Sequence, residues 1–494
     1  GGTATIEGGT IKYNNIGNTS YNTAAIRITT NTATLTLGKE DGNVSITNPE
    51  IIGSRYGINN EGNGTFNFYD GIIKGKTAIN GNLSAKEKGY EVITTEENEI
   101  ETAILGNLPV AKIGEKEYYT FQEAFDACPS DGTETTVEVL RNCTTDMANI
   151  IEENKNIVLD IQSYKIVSGI ENLFTNNGKF KIVDSIGNGR IISAKGTILK
   201  NEETGNFAIN NITMQMTESS AIDETIENKG MLEVTGGVII SDGLKNKGIN
   251  NIEQGTVKIT GGTVSAYTYA IYNTSSNKVE IEGGTVQATY YYEGYSAIYN
   301  NTENGVVEIK GGLVTNQGKA IENKKGTIKV TGGEIRTTQG DTRYSECGIY
   351  NNGKVIIEDG KVAALYRGSG IQNEGGTIEI TGGTVSAPEW YNSIINRGTL
   401  EISGGTIKSN QKGIYNNSIL KMTGGTVEVQ EPNYTALECG GGTATIEGGT
   451  IKYNNTGNTN YNTAAIIITT NSATLTLGKE DGNVSITNPE IIGS

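Results

Sequence analysis

The chain has 494 residues, 67 of them Gly and none of them His, with a formal net charge of −17 at pH 7. The negative charge disfavours nucleic acid as a partner, because phosphates need a basic protein face. The missing His removes the commonest general base and metal ligand. No apolar run approaches the length needed to cross a bilayer, so no membrane contact is expected here.

The opening stretch "GGTATIEGGTIKYNN" returns at residue 441, at an offset of 441 − 1 = 440 residues. Residues 1–54 and 441–494 align without a gap and predict a long tandem repeat. They differ at four positions, namely Ile16/Thr456, Ser20/Asn460, Arg27/Ile467 and Thr32/Ser472. We expect residues 1–84 to be the last turns of a preceding repeat unit, and targeting signals to lie outside this sequence.

A charged segment separates those first turns from the main repeat. Residues 85–118 include "TTEENEIE" and predict an acidic joint, with room for one or two strands of its own. The stretch "TFQEAFDAC" at 120–128 then predicts a helix. Thr120 and Glu123 form a capping box, and Phe121, Ala124, Phe125 and Cys128 fall on one face. We expect this short amphipathic helix to cover the open end of a unit that spans residues 119–494.

A shorter period begins near residue 222. Its most regular mark is a glycine pair or its equivalent, which starts at residues 236, 261, 283, 311, 332, 359, 382, 404, 424 and 448. Nine intervals cover 448 − 236 = 212 residues, or about 23.6 residues each, within the range of solenoid repeats.

Alternation of side chains within each period indicates which residues point inward. Val257, Ile259 and Val264 represent a scheme in which apolar residues alternate with Thr, Lys and Glu. Strand side chains switch faces with period two. The pattern therefore predicts an all-β fold, a parallel β-helix with three short strands per turn of about 23 residues.

An Asn closes the third strand phrase of each turn, as in "AIYN". At equivalent corners these amides would lie one strand spacing apart and hydrogen-bond along the stack, a structural ladder. The alternative is a row of ligands. The residues concerned are Asn228, Asn251, Asn273, Asn300, Asn323, Asn351, Asn373, Asn396 and Asn416, after which Cys439 takes the next position.

The "GGT[IV]" and "AIYN" turns resemble the right-handed parallel β-helix repeats, of the pectin-lyase-like superfamily, found in large adhesin-like surface proteins of Gram-positive bacteria. The stretch "IGEKEYYTFQEAFDACPSDGTETTVEVLRNCTTD" is similar to the opening segment of such modules. The resemblance implies an architecture and not an activity, since one fold hosts many functions.

The same fold also hosts polysaccharide-cleaving enzymes, so catalysis is the competing interpretation. The sequence has no Asp-Asp pair, no G-H-G turn and no R-x-K motif. We expect outward carboxylates such as Glu280, Glu308, Glu379 and Glu401 to be solvated charges among Lys258, Lys310, Lys329 and Lys421. Two carboxylates from separate turns remain the alternative. We expect no catalytic residue, no metal and no cofactor.

The four cysteines fall into two classes. Cys128 and Cys143 flank the end of the helix and the first strand; a disulfide would stabilise this cap by about 3 kcal/mol, and buried thiols are the alternative. Cys347 and Cys439 lie about four turns apart, roughly 19 Å, which is too far for a bond to each other.

Aromatic residues recur in the loop between the "GGTV" strand and the next "AIYN" strand. Equivalent loops leave a solenoid along one edge, so these rings predict a discontinuous aromatic edge that contacts glycans or a protein partner. The alternative is that the rings fold back over their own turns. The candidates are Tyr267, Tyr269, Tyr290, Tyr291, Tyr292, Tyr295, Tyr344, Tyr366, Trp390, Tyr391 and Tyr434.

These patterns favour a structural segment of a giant secreted or cell-surface tandem-repeat protein, extracellular or on a bacterial surface. Each unit would be a stiff rod of roughly sixteen turns and ~80 Å, in a stalk, filament or coat with an adhesive loop edge. Expected partners are other copies of the chain, end to end or side by side, and surface glycans. The alternative is a polysaccharide-binding or polysaccharide-cleaving β-helix enzyme.

Overall fold

A computed structural model describes residues 2–13, 23–41, 43–87, 90–217, 224–243, 245–290, 294–338, 346–388, 390–431, 434–453, 464–479 and 488–492. The chain divides into two compact units, Gly1–Ala124 and Phe125–Ser494. Stacked parallel coils form a β-solenoid of about 16 turns of about 24 residues. The predicted all-β parallel β-helix and its turn length are confirmed.

Three short parallel sheets build the first unit, one for each strand of a turn. Their strands are Thr3–Ile6, Thr34–Leu37, Thr65–Phe68 and Ala85–Lys86; Thr10–Lys12, Glu50–Ile52 and Ile72–Gly75; and Ala24–Arg27, Tyr56–Asn59 and Thr77–Asn80. Inward side chains such as Leu37, Ile51 and Phe66 are fully buried between the sheets. The described residues up to 84 therefore belong to solenoid turns.

An antiparallel hairpin follows those turns, within the segment predicted to be an acidic joint. Its strands are Glu91–Glu97 and Ile100–Gly106, and the second pairs antiparallel with Ile72–Gly75. Ala103 and Leu105 of the hairpin are buried in the core of this unit. The first compact unit consequently extends past residue 84, because the hairpin adds apolar side chains to its core. A smaller hairpin, Ala111–Ile113 with Lys116–Tyr118, comes next.

The predicted helix is present as Phe121–Ala127. Its capping box forms as expected: the Glu123 amide donates to Thr120 Oγ1 at 3.1 Å, and the Thr120 amide donates to Glu123 Oε2 at 3.2 Å. Phe125 is fully buried and packs against Phe174 and Phe180, with ring centroids 6.2 and 5.8 Å away. The end of the helix thus lies against the first core rings of the second unit. No helix of the described residues is long and apolar enough to cross a membrane.

The second unit has three faces, which we call A, B and C in the order in which each turn visits them. Face A comprises Glu134–Val139, Asn156–Asp160, Lys179–Val183, Asn206–Asn210, Met231–Val234, Thr256–Ile259, Val279–Ile281, Thr377–Ile380, Thr399–Ile402 and Thr474–Leu477. Face B comprises Cys143–Thr145, Lys165–Ser168, Arg190–Ser193, Thr213–Met216, Val238–Ser241, Thr263–Ala266, Thr285–Ala288, Leu313–Asn316, Thr384–Ala387, Thr406–Ser409 and Glu490–Ile492. Face C comprises Asn149–Ile151, Phe174–Asn176, Leu199–Asn201, Glu224–Asn228, Lys247–Asn251, Tyr269–Asn273, Cys347–Asn351, Ser369–Asn373, Asn392–Asn396, Lys412–Asn416, Leu437–Cys439 and Ile466–Ile468.

Five longer strands run around a corner and serve two or three faces. They are Ser296–Ile309, Lys319–Thr337, Lys354–Ala364, Ile419–Val429 and Thr443–Tyr453. Val257, Ile259 and Val264 are at most 1% exposed, as predicted for inward positions. Strands pair parallel from turn to turn, so each apolar residue stacks on its equivalent, as Val257 does on Val279.

The corner between faces A and B depends on the glycine pair. Gly262 has a φ of +75°, the left-handed region that favours Gly. A Cβ on Gly261 would lie 2.6 Å from the carbonyl oxygen of Thr235 in the preceding turn. Positive φ at Gly262 and close backbone packing at Gly261 therefore both favour glycine at this corner.

The two copies of the repeated sequence share a hydrogen bond at the glycine corner. The Gly9 amide donates to Asn48 Oδ1 at 2.7 Å, and the Gly449 amide donates to Asn488 Oδ1 at 3.0 Å. The neighbours of the two copies differ, however. Ile451 is 1% exposed between flanking turns, whereas its equivalent Ile11 is 36% exposed.

Candidate functional site

Eleven asparagines form one continuous ladder inside the second unit. In each pair, Nδ2 of one Asn donates to Oδ1 of the Asn in the next turn, at 2.7–2.9 Å. Nine of the eleven are the residues expected from the sequence. The other two, Asn176 and Asn201, extend the ladder toward the helix.

The ladder amides are closed off from any ligand. Every ladder Asn is at most 1% exposed, and main-chain carbonyls use further donor capacity, as Gly326 O does for Asn323. At the far end, Asn416 Nδ2 donates to Ser418 O at 3.1 Å, and the buried Cys439 takes the next position in register. Because a buried amide needs partners, the ladder holds successive turns in register and offers no binding surface.

Outward charges on face A are paired across turns. Lys258 Nζ lies 3.1 Å from Glu282, and Lys310 Nζ lies 3.4 Å from the same carboxylate. Lys310 and Lys278 also bind Glu280 and hold the pKa of that carboxyl well below its usual value, at about 2. These ion pairs engage the Glu280 carboxylate, which from the sequence alone is a candidate catalytic group.

The other charged residues predicted on face A are either ion-paired or exposed. Lys329 pairs with Glu358 at 3.0 Å, and Lys354 pairs with Glu379 at 2.7 Å. Glu401 is exposed. Among the described residues, no group of three or more Cys, Asp or Glu side chains is arranged to hold a metal ion.

Four of the predicted edge tyrosines pack together at the border of faces B and C. Tyr267 stacks on Tyr290 with centroids 4.4 Å apart, and Tyr295 lies 5.7 Å from Tyr290. Tyr269 lies 5.4 Å from Tyr295, and its hydroxyl donates to the Gly294 carbonyl. These rings are half-buried, so this part of the edge folds back over the solenoid.

Two tyrosines that the sequence interpretation did not single out complete this cluster. Tyr272 and Tyr299 are the outward residues of the "AIYN" strands, and they stack with centroids 4.8 Å apart and 12° between planes. Lys247 Nζ covers the Tyr272 ring at 4.5 Å from its centroid. Since Tyr299 and Lys247 both lie on the ring of Tyr272, its aromatic surface is occupied within the protein. We call these six residues (Tyr267, Tyr269, Tyr272, Tyr290, Tyr295 and Tyr299) the tyrosine cluster.

Buried carboxylates flank the tyrosine cluster on face C. Glu224 is 8% exposed and lies 3.9 Å from Lys247; burial raises its pKa to about 7 against the opposing effect of that lysine. Glu322 is 2% exposed and pairs with Lys319 at 3.3 Å and Lys324 at 2.8 Å. Their only signal in the sequence is a charged residue at an outward position of face C.

The remaining aromatic edge residues are of a different kind. Tyr366 is 70% exposed and Trp390 is 68% exposed, in loops that leave consecutive turns. Tyr391 and Tyr434 are half-buried. Tyr291, Tyr292 and Tyr344 lie outside the described residues. The structure therefore brings part of the predicted edge into a packed cluster and leaves Tyr366 and Trp390 open to solvent.

All four cysteines are buried thiols in this structure. Of the two alternatives for Cys128 and Cys143, the structure thus contains the thiols and not the disulfide. Burial raises the pKa of Cys128, that of Cys347 to about 12 and that of Cys439 to about 11. These side chains occupy core positions and are poor nucleophiles.

No family model, no curated protein and no solved structure matches this chain.

Proposed function

We propose that this chain is a structural segment of a giant tandem-repeat protein, secreted or displayed on a bacterial surface, that forms a stiff stalk, filament or coat. The observation that carries the proposal is the asparagine ladder of the second unit, in which buried amides join eleven successive turns. A stack held by backbone and side-chain hydrogen bonds at every turn resists bending. The recurrence of residues 1–54 at 441–494 supports further copies of the same element in tandem.

We infer that the role is not enzymatic. Three outward glutamates of face A are engaged with lysines, namely Glu280, Glu308 and Glu379. A glycosidase needs one carboxylate available as an acid beside another available as a base or nucleophile. Incubation of the chain with a panel of polysaccharides tests this inference. Release of products would overturn it.

Electron microscopy tests the structural proposal directly. Tandem copies of the 440-residue period, purified or observed on the native cell surface, should appear as straight rods with a regular axial repeat. Each period should add roughly 80 Å if about sixteen turns stack at one strand spacing. Flexible, irregular chains of varying length would contradict the stiff-rod role.

A further inference from the structure

Two aromatic rings on the edge between faces B and C stand apart from the tyrosine cluster. Tyr366 and Trp390 follow face B strands that pair directly, Val362 with Val385, and precede face C strands that pair directly, Ile371 with Ile394. The two loops therefore emerge from adjacent turns. Both rings are more than two-thirds exposed, in contrast to the half-buried rings of the tyrosine cluster.

The main chain at Trp390 is held in an unusual conformation. Its φ is +73°, a left-handed conformation that costs a bulky residue about 1 kcal/mol or more. The Trp390 amide donates to Gln411 Oε1 at 2.8 Å. Gln411 is 4% exposed, and its Nε2 donates to Glu431 Oε2 at 2.9 Å one turn further on. Side chains from the two following turns thus fix the backbone that presents an exposed indole.

The chemistry of this pair fits a sugar better than a protein. Stable protein docking buries about 1,000 Å² or more. Among the described residues of these two loops, Leu365, at 38% exposure, is the only other exposed large apolar side chain. Tyr and Trp offer rigid, electron-rich ring faces beside a polar tip. The C–H groups on one face of a pyranose ring carry partial positive charge and suit such a surface.

Charge selects among polysaccharides. The chain carries a net charge of −17, which repels acidic polymers over the distance of a Debye length. We propose that Tyr366 and Trp390 form a binding site for a neutral polysaccharide, with each ring stacking on the face of one sugar unit. This site rests on the proposed surface role of the chain, and it gives a ligand class to the adhesive loop edge expected from the sequence.

Trp390 is the only tryptophan of the chain, so its fluorescence reports this site alone. The full chain should be titrated with soluble neutral polysaccharides (a β-glucan, a mannan, a galactan, an arabinoxylan and a dextran). A saturable blue shift and protection from acrylamide quenching with at least one polymer are expected. Tyr366→Ala should weaken that binding about tenfold, the equivalent of one stacked ring.

Tyr119→Ala is the matched control, because Tyr119 is an exposed tyrosine (44%) outside the pair. It should leave the titration unchanged. Either no response to any neutral polymer or an unchanged affinity in Tyr366→Ala would overturn the proposed site. Retention of the Tyr366→Ala/Trp390→Ala variant on polysaccharide-coated beads would overturn the site while leaving adhesion in place. Absence of rods in electron microscopy would count against the structural role and not against this site.

Discussion

Asn323 donates from Nδ2 to Oδ1 of Asn351 at 2.8 Å, one turn further along the solenoid. Its own Oδ1 accepts from Asn300 at 2.9 Å. Neither residue is exposed. Asn323 therefore depends on the turn before it and the turn after it, so these three turns must keep a common register.

Replacing Asn323 with Ala should destabilise the solenoid by about 2–4 kcal/mol, because it removes several hydrogen bonds and leaves the buried amide of Asn300 short of an acceptor. Asn416→Ala should cost about half as much, since Cys439 follows Asn416 and no further ladder amide loses a partner on that side. Urea midpoints and hydrogen exchange measure the difference. Equal losses would contradict the coupling between neighbouring amides.

Phe125→Ala should destabilise the start of the second unit by about 3–5 kcal/mol, through the loss of a buried ring that contacts Phe174 and Phe180. It should also increase aggregation, because the first strands lose the cover of the helix. Light scattering after mild heating measures the second effect. Phe125→Leu, which keeps most of the apolar volume, serves as the control and should aggregate much less.

Glu280→Gln should lower stability at neutral pH and make it less dependent on pH between about 2 and 4.5. The bonds from Lys310 and Lys278 depress the pKa of Glu280 to about 2 in the folded chain. A depressed carboxyl pKa stabilises the fold above the unfolded pKa, and this contribution is lost as the pH falls through the folded pKa. The effect at pH 7 should be up to about 1 kcal/mol and should shrink in high salt.

Glu401→Gln provides the matched control for that charge. Glu401 occupies the equivalent outward position of face A, is exposed, and makes no ion pair with another described residue. Its replacement should leave the urea midpoint nearly unchanged at every pH. A Glu401 effect as large as that of Glu280 would contradict the importance of the lysine network.

Glu224→Gln should raise stability above neutral pH relative to the original chain. Burial raises the pKa of Glu224 to about 7 in the folded state. Because the folded chain holds the Glu224 proton more tightly than the unfolded chain does, the protonated carboxyl stabilises the fold below the unfolded pKa. This contribution is lost as the pH rises through about 7. The difference between variant and original chain should therefore grow from pH 5 to pH 8.5, as measured by urea unfolding. A difference that stays constant over this range would exclude titration of Glu224.

Thiol counting distinguishes the two states of the cysteines. In the folded chain the four thiols should react slowly with a maleimide at pH 7, because all are buried. The raised pKa values of Cys128, Cys347 and Cys439 further disfavour their thiolates. After denaturation without reductant, mass spectrometry should show four labels per chain. Two labels would indicate that Cys128 and Cys143 are joined in a disulfide.

The fold was predictable because its signal is local. The alternation around Val257 and Ile259 specifies an inward face whichever strand lies next to it, and the glycine pair specifies the corner. The capping box of Thr120 and Glu123 is equally local. These features need no knowledge of which residues lie one turn away.

The surface was harder to predict because its contacts depend on register between turns. Tyr272 contacts Tyr299, 27 residues later in the sequence, only because their two strands pair in register. Asn176 and Asn201 belong to the ladder although they lie before the regular "AIYN" phrases begin. The loop class indicated which residues form one edge, but it did not indicate which of their rings pack and which, like Trp390, stay exposed.

All ten side-chain hydrogen bonds of the ladder run in one direction, with the donor in the earlier turn and the acceptor in the later one. The side-chain amide dipoles of the ladder are therefore aligned, with an acceptor end at Asn176 and a donor end at Asn416. The ladder thus has a direction, and hydrogen bonds aligned in this way polarise one another. Two such ladders could be joined into a longer one only with the donor end of one against the acceptor end of the other.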